Sequence, residues 1–384
     1  MHQRIALFDW TPGGHHELYV QRFAEALAPD HEPVACVPDE TAATLAERGI
    51  EVHGLGEPRP AVDLARPAPP QHAELAQKEL DLLERTVDAV RPDHVVHMYA
   101  DPIVRRLVKR PPLGVPASIL YFFPQAHYPR VFGTPMSARD RARALMHELV
   151  IARWRRRPDA ASVLLLDPVA AERWGRRRGA PVQWVGEPPL PAELPDPPAE
   201  REGAVLYGSL AARKGIDLLA AAMATAPGGR VTLAGGVEAG FADQLSAHVD
   251  RMRAAGTDVV VREGRLGEGE GLATLAAARV AVLPYPAHGG MSRVMLEAAG
   301  VGTPVVVHDR GLLAHLVREH DIGIAVDCRD PHAFRRAVDT VQAEGPERRA
   351  AALARFAADY SAPAFRARLL AGLGLPAPAL PVAR

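Results

Sequence analysis

Three stretches of the sequence place glycines at spacings that suit a ligand carrying an anion, two of them together with cations and a single acid. The first is Tyr207-Gly208-Ser209-Leu210-Ala211-Ala212-Arg213-Lys214-Gly215-Ile216-Asp217, between a strand-like run and a helical one. Gly208 frees the backbone to approach a ligand, and the cations Arg213 and Lys214 suit a diphosphate near a helix start. Read blandly, both cations are solvated loop charges. The second stretch runs from Leu283 to Val306. There a Pro/Gly loop opens a short helix whose acid is Glu297. Amides of Gly290, Met291 and Ser292 would point at an anion, while Glu297 could accept from ribose hydroxyls. The competing reading makes Ser292 an ordinary N-cap and Glu297 an exposed helix acid. The third is Thr11-Pro12-Gly13-Gly14-His15-His16, which reads either as a backbone cradle for an anion or as a simple tight turn. The chain contains neither Gly-x-Gly-x-x-Gly nor a Walker loop.

Chemistry of this kind needs strand ends and helix starts to hold it, and the sequence supplies both. Ile5-Ala6-Leu7-Phe8 is a short apolar run, followed by the glycine turn and an amphipathic helix from Glu17. Strand-like runs recur at Pro33–Val37, Ile50–Val52, His94–His97, Ala117–Phe122 and Ser162–Leu166. Helical segments lie between them, the longest being about Pro70 to Val90 and Met136 to Arg157. After Glu202 the alternation restarts, with strands at Ala204–Tyr207, Val231–Ala234, Val259–Val261, Val280–Leu283, Pro304–Val307 and Ile324–Val326. Pro331–Val341 and Arg348–Leu373 read as two closing helices. Strands alternating with helices predict parallel sheets covered on both faces. Pro188, Pro189, Pro191, Pro195, Pro197 and Pro198 forbid a helix interior and favour an extended linker. The fold class is therefore α/β, with two Rossmann-like doubly wound lobes facing a cleft. The expected boundaries are residues 1–186 for the first lobe, 187–202 for the linker and 203–345 for the second lobe. Residues 346–384 are expected to form helices and a tail crossing back to the first lobe.

Composition narrows the function classes. Of 384 residues, 45 are Lys or Arg and 46 are Asp or Glu, a formal net charge of −1, which argues against a dedicated nucleic-acid binder. Cys36 and Cys328 are too few for a disulfide framework or a cysteine zinc site, and they fit a reducing compartment. No apolar run is long enough to span a bilayer, so a cytoplasmic protein is expected. Arg139–Arg143, Arg153–Arg157 and Arg176–Arg178 could meet an anionic membrane surface. Asp140 and Glu148 lie among them, and solvated helix faces or contact with an acidic acceptor are favoured over a membrane. With no carboxylate or cysteine spaced suitably around the histidines, no metal site is expected.

The motifs together resemble those of the GT-B glycosyltransferases, specifically the large retaining group similar to glycosyltransferase family 4. The likeness is strongest from Leu206 to about Asp327. It rests on the Gly-x-Leu-x-x-x-Lys-Gly pattern at Gly208–Gly215, the Leu233-Ala234-Gly235-Gly236 strand end and the block Gly290 to Val306. The Gly13-Gly14 loop and His127 match the first lobe more loosely. The resemblance implies a nucleoside diphosphate sugar, UDP or GDP first, bound mainly by the second lobe, with the acceptor on the first. Gly13, Gly14, Ser209, Arg213, Lys214, Gly290, Met291, Ser292 and Arg293 would hold the diphosphate. Glu297 would hold the ribose, and Arg265 and Leu266 the base. Lys214 and His127 are the expected catalytic groups. An imidazole at 127 could hydrogen-bond the sugar and orient the acceptor. His15, His16, His97, Tyr99, His288 and Gly289 are candidates around the sugar or acceptor.

This sequence departs from the family pattern in two places. An acid usual eight positions before the helix glutamate is Gly289 here, and the Arg usual after the first phosphate-loop glycine is Ser209. The expected function is retaining, metal-independent sugar transfer to an acceptor hydroxyl or amine, on a small molecule, natural product, glycan or lipid, with no cofactor. The rival readings are a nucleotide-sugar epimerase and a non-catalytic GT-B-fold partner protein. Residues alone do not give the oligomeric state.

Overall fold

The structure is a computed structural model that describes residues 2–12, 15–60, 69–122, 124, 127–132, 137–264 and 266–378. In chain order the first half runs β1 (Arg4–Phe8), α1 (His15–Leu27), β2 (Glu32–Val37), α2 (Asp39–Glu47), β3 (Glu51–Gly54), α3 (Pro69–Val90), β4 (His94–His97), α4 (Val104–Leu107), β5 (Ala117–Tyr121), α5 (His127–Phe132), α6 (Ala138–Trp154), β6 (Ala160–Leu165), α7 (Pro168–Gly175) and β7 (Val182–Trp184). The second half runs β8 (Ala204–Tyr207), α8 (Ile216–Met223), β9 (Arg230–Gly235), α9 (Ala242–Ala254), β10 (Asp258–Glu263), α10 (Glu268–Ala276), β11 (Val280–Leu283), α11 (Arg293–Gly300), β12 (Val305–His308), α12 (Gly311–His320), β13 (Gly323–Val326), α13 (Pro331–Glu344) and α14 (Ala350–Ala358). The last helix among the described residues is α15 (Ala362–Gly372).

The strands form two parallel sheets. One has seven strands in the order β3-β2-β1-β4-β5-β6-β7, the other six in the order β10-β9-β8-β11-β12-β13. Strand order reverses beside β1 in the first sheet and beside β8 in the second. Ligands in open α/β sheets bind outside the carboxyl ends of the strands at such a reversal. The chain divides into two compact units. The first comprises Met1–Ala126, Met136–Pro189 and Ala362–Val382; the second comprises His127–Pro135 and Leu190–Ser361.

In the first unit the strand period of two sorts side chains between the faces of the sheet. Ala6 and Phe8 enter a core with Trp10, Ile119, Tyr121 and Trp154. Ile5 and Leu7 enter another with Phe23, Leu27, Phe365 and Leu369. The last two come from α15, so the end of the chain completes the first unit's core. In the second unit Leu206, Leu219, Leu233, Val282 and Phe334 pack together.

The single closing helix expected over Arg348–Leu373 is two helices, α14 and α15, that belong to different units. Pro363 is the physical reason. It lacks an amide hydrogen and is tolerated in the first turn of α15, whereas a helix running through it would lose a hydrogen bond and clash with the preceding turn. Residues 185–203 form neither helix nor strand, in keeping with their prolines. Arg201 fastens the end of this stretch to the second unit, donating to Val301 O (3.0 Å), Gly302 O (3.2 Å) and Thr303 Oγ1 (2.8 Å).

Candidate functional site

In the second unit, β8 and β11 lie side by side in parallel register, Val280 opposite Ala204 and Ala281 opposite Val205. Gly208 and Pro284 therefore leave the sheet at the same level. Gly208 takes φ +103°, a conformation that favours glycine, and donates its amide to Ala234 O (3.0 Å) at the end of β9. The chain then enters a short 3₁₀ turn, Ala212–Lys214, and reverses at Gly215 with φ +70°. A Cβ on Gly215 would stand 2.5 Å from Pro284 O, so glycine is needed both for the angle and for the close approach to the β11 loop.

This geometry brings Lys214 back under its own glycine loop. A Cβ at Gly208 would be 3.6 Å from the Lys214 ammonium. Lys214 is 9% exposed, donates to the Tyr285 hydroxyl at 2.9 Å and lies 4.2 Å from the centre of that ring. A lysine this buried needs such company, because removing an ammonium from water is costly unless it is paired. Arg213, next to it, is exposed. Ser209 is half-buried beyond Gly208.

The β11 loop leads into α11. His288 packs edge-on against Tyr285 with ring centres 5.5 Å apart and donates from Nε2 to Met291 O (2.9 Å). Burial first, and then the nearby Lys214 and Arg213 charges, hold its imidazole below the usual pKa. Ser292 occupies the N-cap of α11 but makes no side-chain cap bond. In α6 and α7, by contrast, Ser137 and Asp167 accept from Asp140 N and Ala170 N. Glu297, one helical turn along α11 and buried, accepts from Arg293 Nε at 3.2 Å. Glu297 is thus not the exposed acid of the bland reading. Leu266 is half-buried beyond β10; Arg265 lies outside the described residues.

His127 and Tyr128 open α5, which groups with the second unit although the chain on both sides of it belongs to the first. The His127 ring is fully buried against Tyr128 and Phe132, with ring centres 5.8 and 5.4 Å away. Phe132 meets His315 of α12 at 5.4 Å.

The remaining candidates belong to the first unit. Gly13 and Gly14 lie outside the described residues, as does the side chain of His15. His16 is 2.9 Å from Asp9 Oδ2, and both are buried at the carboxyl end of β1. Asp9 also takes the Thr11 amide at 2.9 Å. Tyr99 sets its ring edge-on to His16 at 4.9 Å, and burial pushes its hydroxyl up to about 12. His97 is turned the other way, into the core beside Phe8. Its Nδ1 accepts the Tyr99 amide at 3.3 Å, and its Nε2 lies 3.2 Å from Glu79, which also binds Arg59. The first unit therefore gathers His16 and Tyr99 together and separates His97 from them.

Three participants were not singled out from the sequence. Asp9 follows β1 directly, a position that could have suggested it. Tyr285 stands just past β11, one residue beyond Pro284, which is level with Gly208 across the sheet. Tyr128 carries no spacing signal at all.

One cluster among the described residues has the ligand types of a metal site. His308, Asp309 and Asp327 bring one ligand atom each within 4.8 Å of one another at the ends of β12 and β13. His308 and Asp327 already have hydrogen-bonded protein partners. His308 Nδ1 accepts the Cys328 amide (3.2 Å), and hydrogen bonds from Arg329 hold Asp327 down at about 2.

Among the described residues, no helix is long and apolar enough to cross a membrane. Residues 201–344 match the family model described as Glycosyl transferases group 1. No curated protein matches the chain. Solved structures match it over nearly its whole length. Sucrose-phosphate synthase from Thermosynechococcus elongatus is 19% identical with a TM-score of 0.65, covering 97% of this chain and 95% of that one. HepE from Anabaena, in complex with UDP and glucose, is 15% identical with a TM-score of 0.64, covering 97% and 100%. The glycotransferase of kitacinnamycin is 20% identical with a TM-score of 0.59, covering 98% and 100%. Two parallel α/β units, this span of agreement and the motifs at Gly208–Gly215 and Gly290–Val306 give one conclusion: the chain has the GT-B fold, and residues 201–344 of its second unit match the glycosyl transferases group 1 model.

Proposed function

We propose that the protein transfers a sugar from a nucleoside diphosphate sugar to an acceptor hydroxyl or amine. The observation that carries this reading is Lys214, a buried ammonium drawn under Gly208 at the point where the second sheet reverses its strand order. Cleavage of a glycosidic bond to a diphosphate leaves negative charge on the departing oxygens. A fixed cation and helix-opening amides stabilise that charge without reorganising.

In this reading Lys214, Arg213, Ser209 and the Gly290–Arg293 backbone hold the diphosphate. Glu297, fixed by Arg293, accepts from the ribose hydroxyls, and Leu266 passes the base. His127 and His288 lie on the sugar side, and His16 with Tyr99 serves the acceptor. UDP is the first candidate donor nucleotide, since one structural neighbour is a complex with UDP and glucose; GDP is the second. Retention of anomeric configuration and independence from metal follow from the resemblance in the motifs.

Calorimetric titration with UDP, GDP, TDP, ADP and CDP, and then with their common sugars, tests the proposal. Selective binding of one nucleotide, followed by sugar transfer to an added acceptor, is the expected result. Binding by none of them overturns it.

A further inference from the structure

Gly289 and Gly290 sit at the turn that delivers the chain into α11, yet neither has a positive φ. Backbone conformation is therefore not what excludes a side chain. Tyr128 excludes it. A Cβ on Gly289 would stand 2.5 Å from Tyr128 Cδ2, 2.8 Å from Cγ and 3.1 Å from Cε2, and a Cβ on Gly290 would stand 3.0 Å from the Tyr128 hydroxyl oxygen. The aromatic ring occupies the volume that side chains at these two positions would fill.

The loop has no room to retreat from the ring. On its other side Gly289 O accepts the Leu312 amide at 2.9 Å. Gly311, at φ +84°, comes so close that a Cβ there would meet His288 O at 2.8 Å and Gly289 Cα at 3.3 Å. The ring is held as well. Tyr128 is 5% exposed and packs with His127 and Phe132, and Phe132 is seated on His315 of α12. Loop and ring form a close-packed sandwich in which adding a methyl group on one side requires removing atoms from the other.

We propose that Tyr128 is a positioning residue for the Gly289–Met291 loop, and that the pair Tyr128–Gly289 sets which donor sugar the loop accepts. The inference rests on the donor reading above and goes further, making the sugar preference depend on a side chain outside the second half of the sequence. A loop pressed flat by an aromatic ring offers a sugar its backbone and an uncharged surface. With a smaller residue at 128, the same loop could carry a side chain at 289 and meet the sugar differently.

Calorimetry with UDP, UDP-glucose, GDP and GDP-mannose tests this on the wild type, Gly289→Ala, Tyr128→Ala and the double variant. The measured quantity is the affinity for sugar nucleotide relative to the bare nucleoside diphosphate. Gly289→Ala is expected to lose about tenfold in affinity for the sugar nucleotide, with nucleoside diphosphate affinity changing by less than about twofold. The double variant is expected to recover most of that loss, the non-additivity of residues in direct contact. Tyr128→Leu replaces Tyr128→Ala if the latter unfolds. A double variant no tighter than Gly289→Ala, or a Gly289→Ala protein indistinguishable from wild type, overturns the proposal while leaving the donor reading standing. Wild type that binds none of these four probes, nor TDP, ADP or CDP, removes both, and that result appears before any variant is compared.

Discussion

The ammonium of Lys214 and the hydroxyl of Tyr285 are 2.9 Å apart, joining the loop after β8 to the loop after β11 across the reversal point of the second sheet. The bond holds the cation beneath Gly208 before any ligand arrives. Lys214→Ala should weaken nucleoside diphosphate binding by about 1.5–3 kcal/mol, the range for a hydrogen bond to a charged group, or roughly 10- to 100-fold. Tyr285→Phe should cost less, since the ammonium keeps the aromatic face. Titration of both variants checks the order; equal affinities in Lys214→Ala and wild type would remove the diphosphate assignment.

Glu297 and the phosphate-facing groups can be separated by ligand. Glu297→Gln should weaken a nucleoside diphosphate by a few-fold to tenfold and leave inorganic pyrophosphate almost unaffected, because pyrophosphate has no ribose. Competition titration with the two ligands provides the comparison. A parallel loss for both would instead place Glu297 in the support of Arg293, with which it pairs at 3.2 Å.

Gly235 is a structural requirement of the same loop. It adopts φ +142°, and a Cβ there would lie 1.8 Å from Gly208 O. Gly235→Ala should destabilise the protein by at least about 1–3 kcal/mol from backbone strain alone, and it should push Gly208 out of place. Urea denaturation would show the lower midpoint, and a nucleotide titration the weaker binding. A midpoint unchanged from wild type would mean that β9 and the glycine loop are not in this contact.

A buried histidine gives the first unit a pH dependence. His94 is 2.9 Å from Ser118 Oγ, which is 2.8 Å from Ser162 Oγ, a ladder across β4, β5 and β6. Burial lowers the imidazole from 6.5 to about 4. Below the unfolded value the unfolded chain takes up a proton that the folded chain refuses. Stability from this group is therefore full above about pH 6.5 and falls as the pH drops toward 4, by up to on the order of 3 kcal/mol. His94→Asn should flatten that slope. Urea midpoints at pH 5 and 7.5 for both proteins measure it, and identical slopes would exclude His94 as the source.

Much of this arrangement was legible in the sequence because strand runs, glycine turns and helix starts are local patterns. Val280–Leu283 and Ala204–Tyr207 announced themselves by apolar runs, and Gly208, Lys214 and Gly215 by their spacing between a strand and a helix. Other relationships depend on contacts that no local pattern encodes. Tyr285 reaches Lys214 because parallel register sets two distant strands level. Tyr128 reaches Gly289 because α5 groups with a unit other than the one its neighbours in sequence build. His97 is the last residue of β4 and faces Glu79, whereas Tyr99 lies in the turn beyond the strand, where the alternation of faces no longer holds, and meets His16.

The placement of α15 has a consequence for how the chain comes into being. Phe365, Leu369 and Leu370 fill the same core as Ile5, Leu7 and Phe23. On the ribosome, the opening strands are therefore made long before the helix that covers them, and the whole second sheet is synthesised in the interval. During translation the first unit must wait with an apolar face open to water, whereas the second can close on itself from nearby segments. A chain stopped after Ser361 would leave that face permanently bare, and its first unit, rather than the unit next to the cut, would be the part to aggregate.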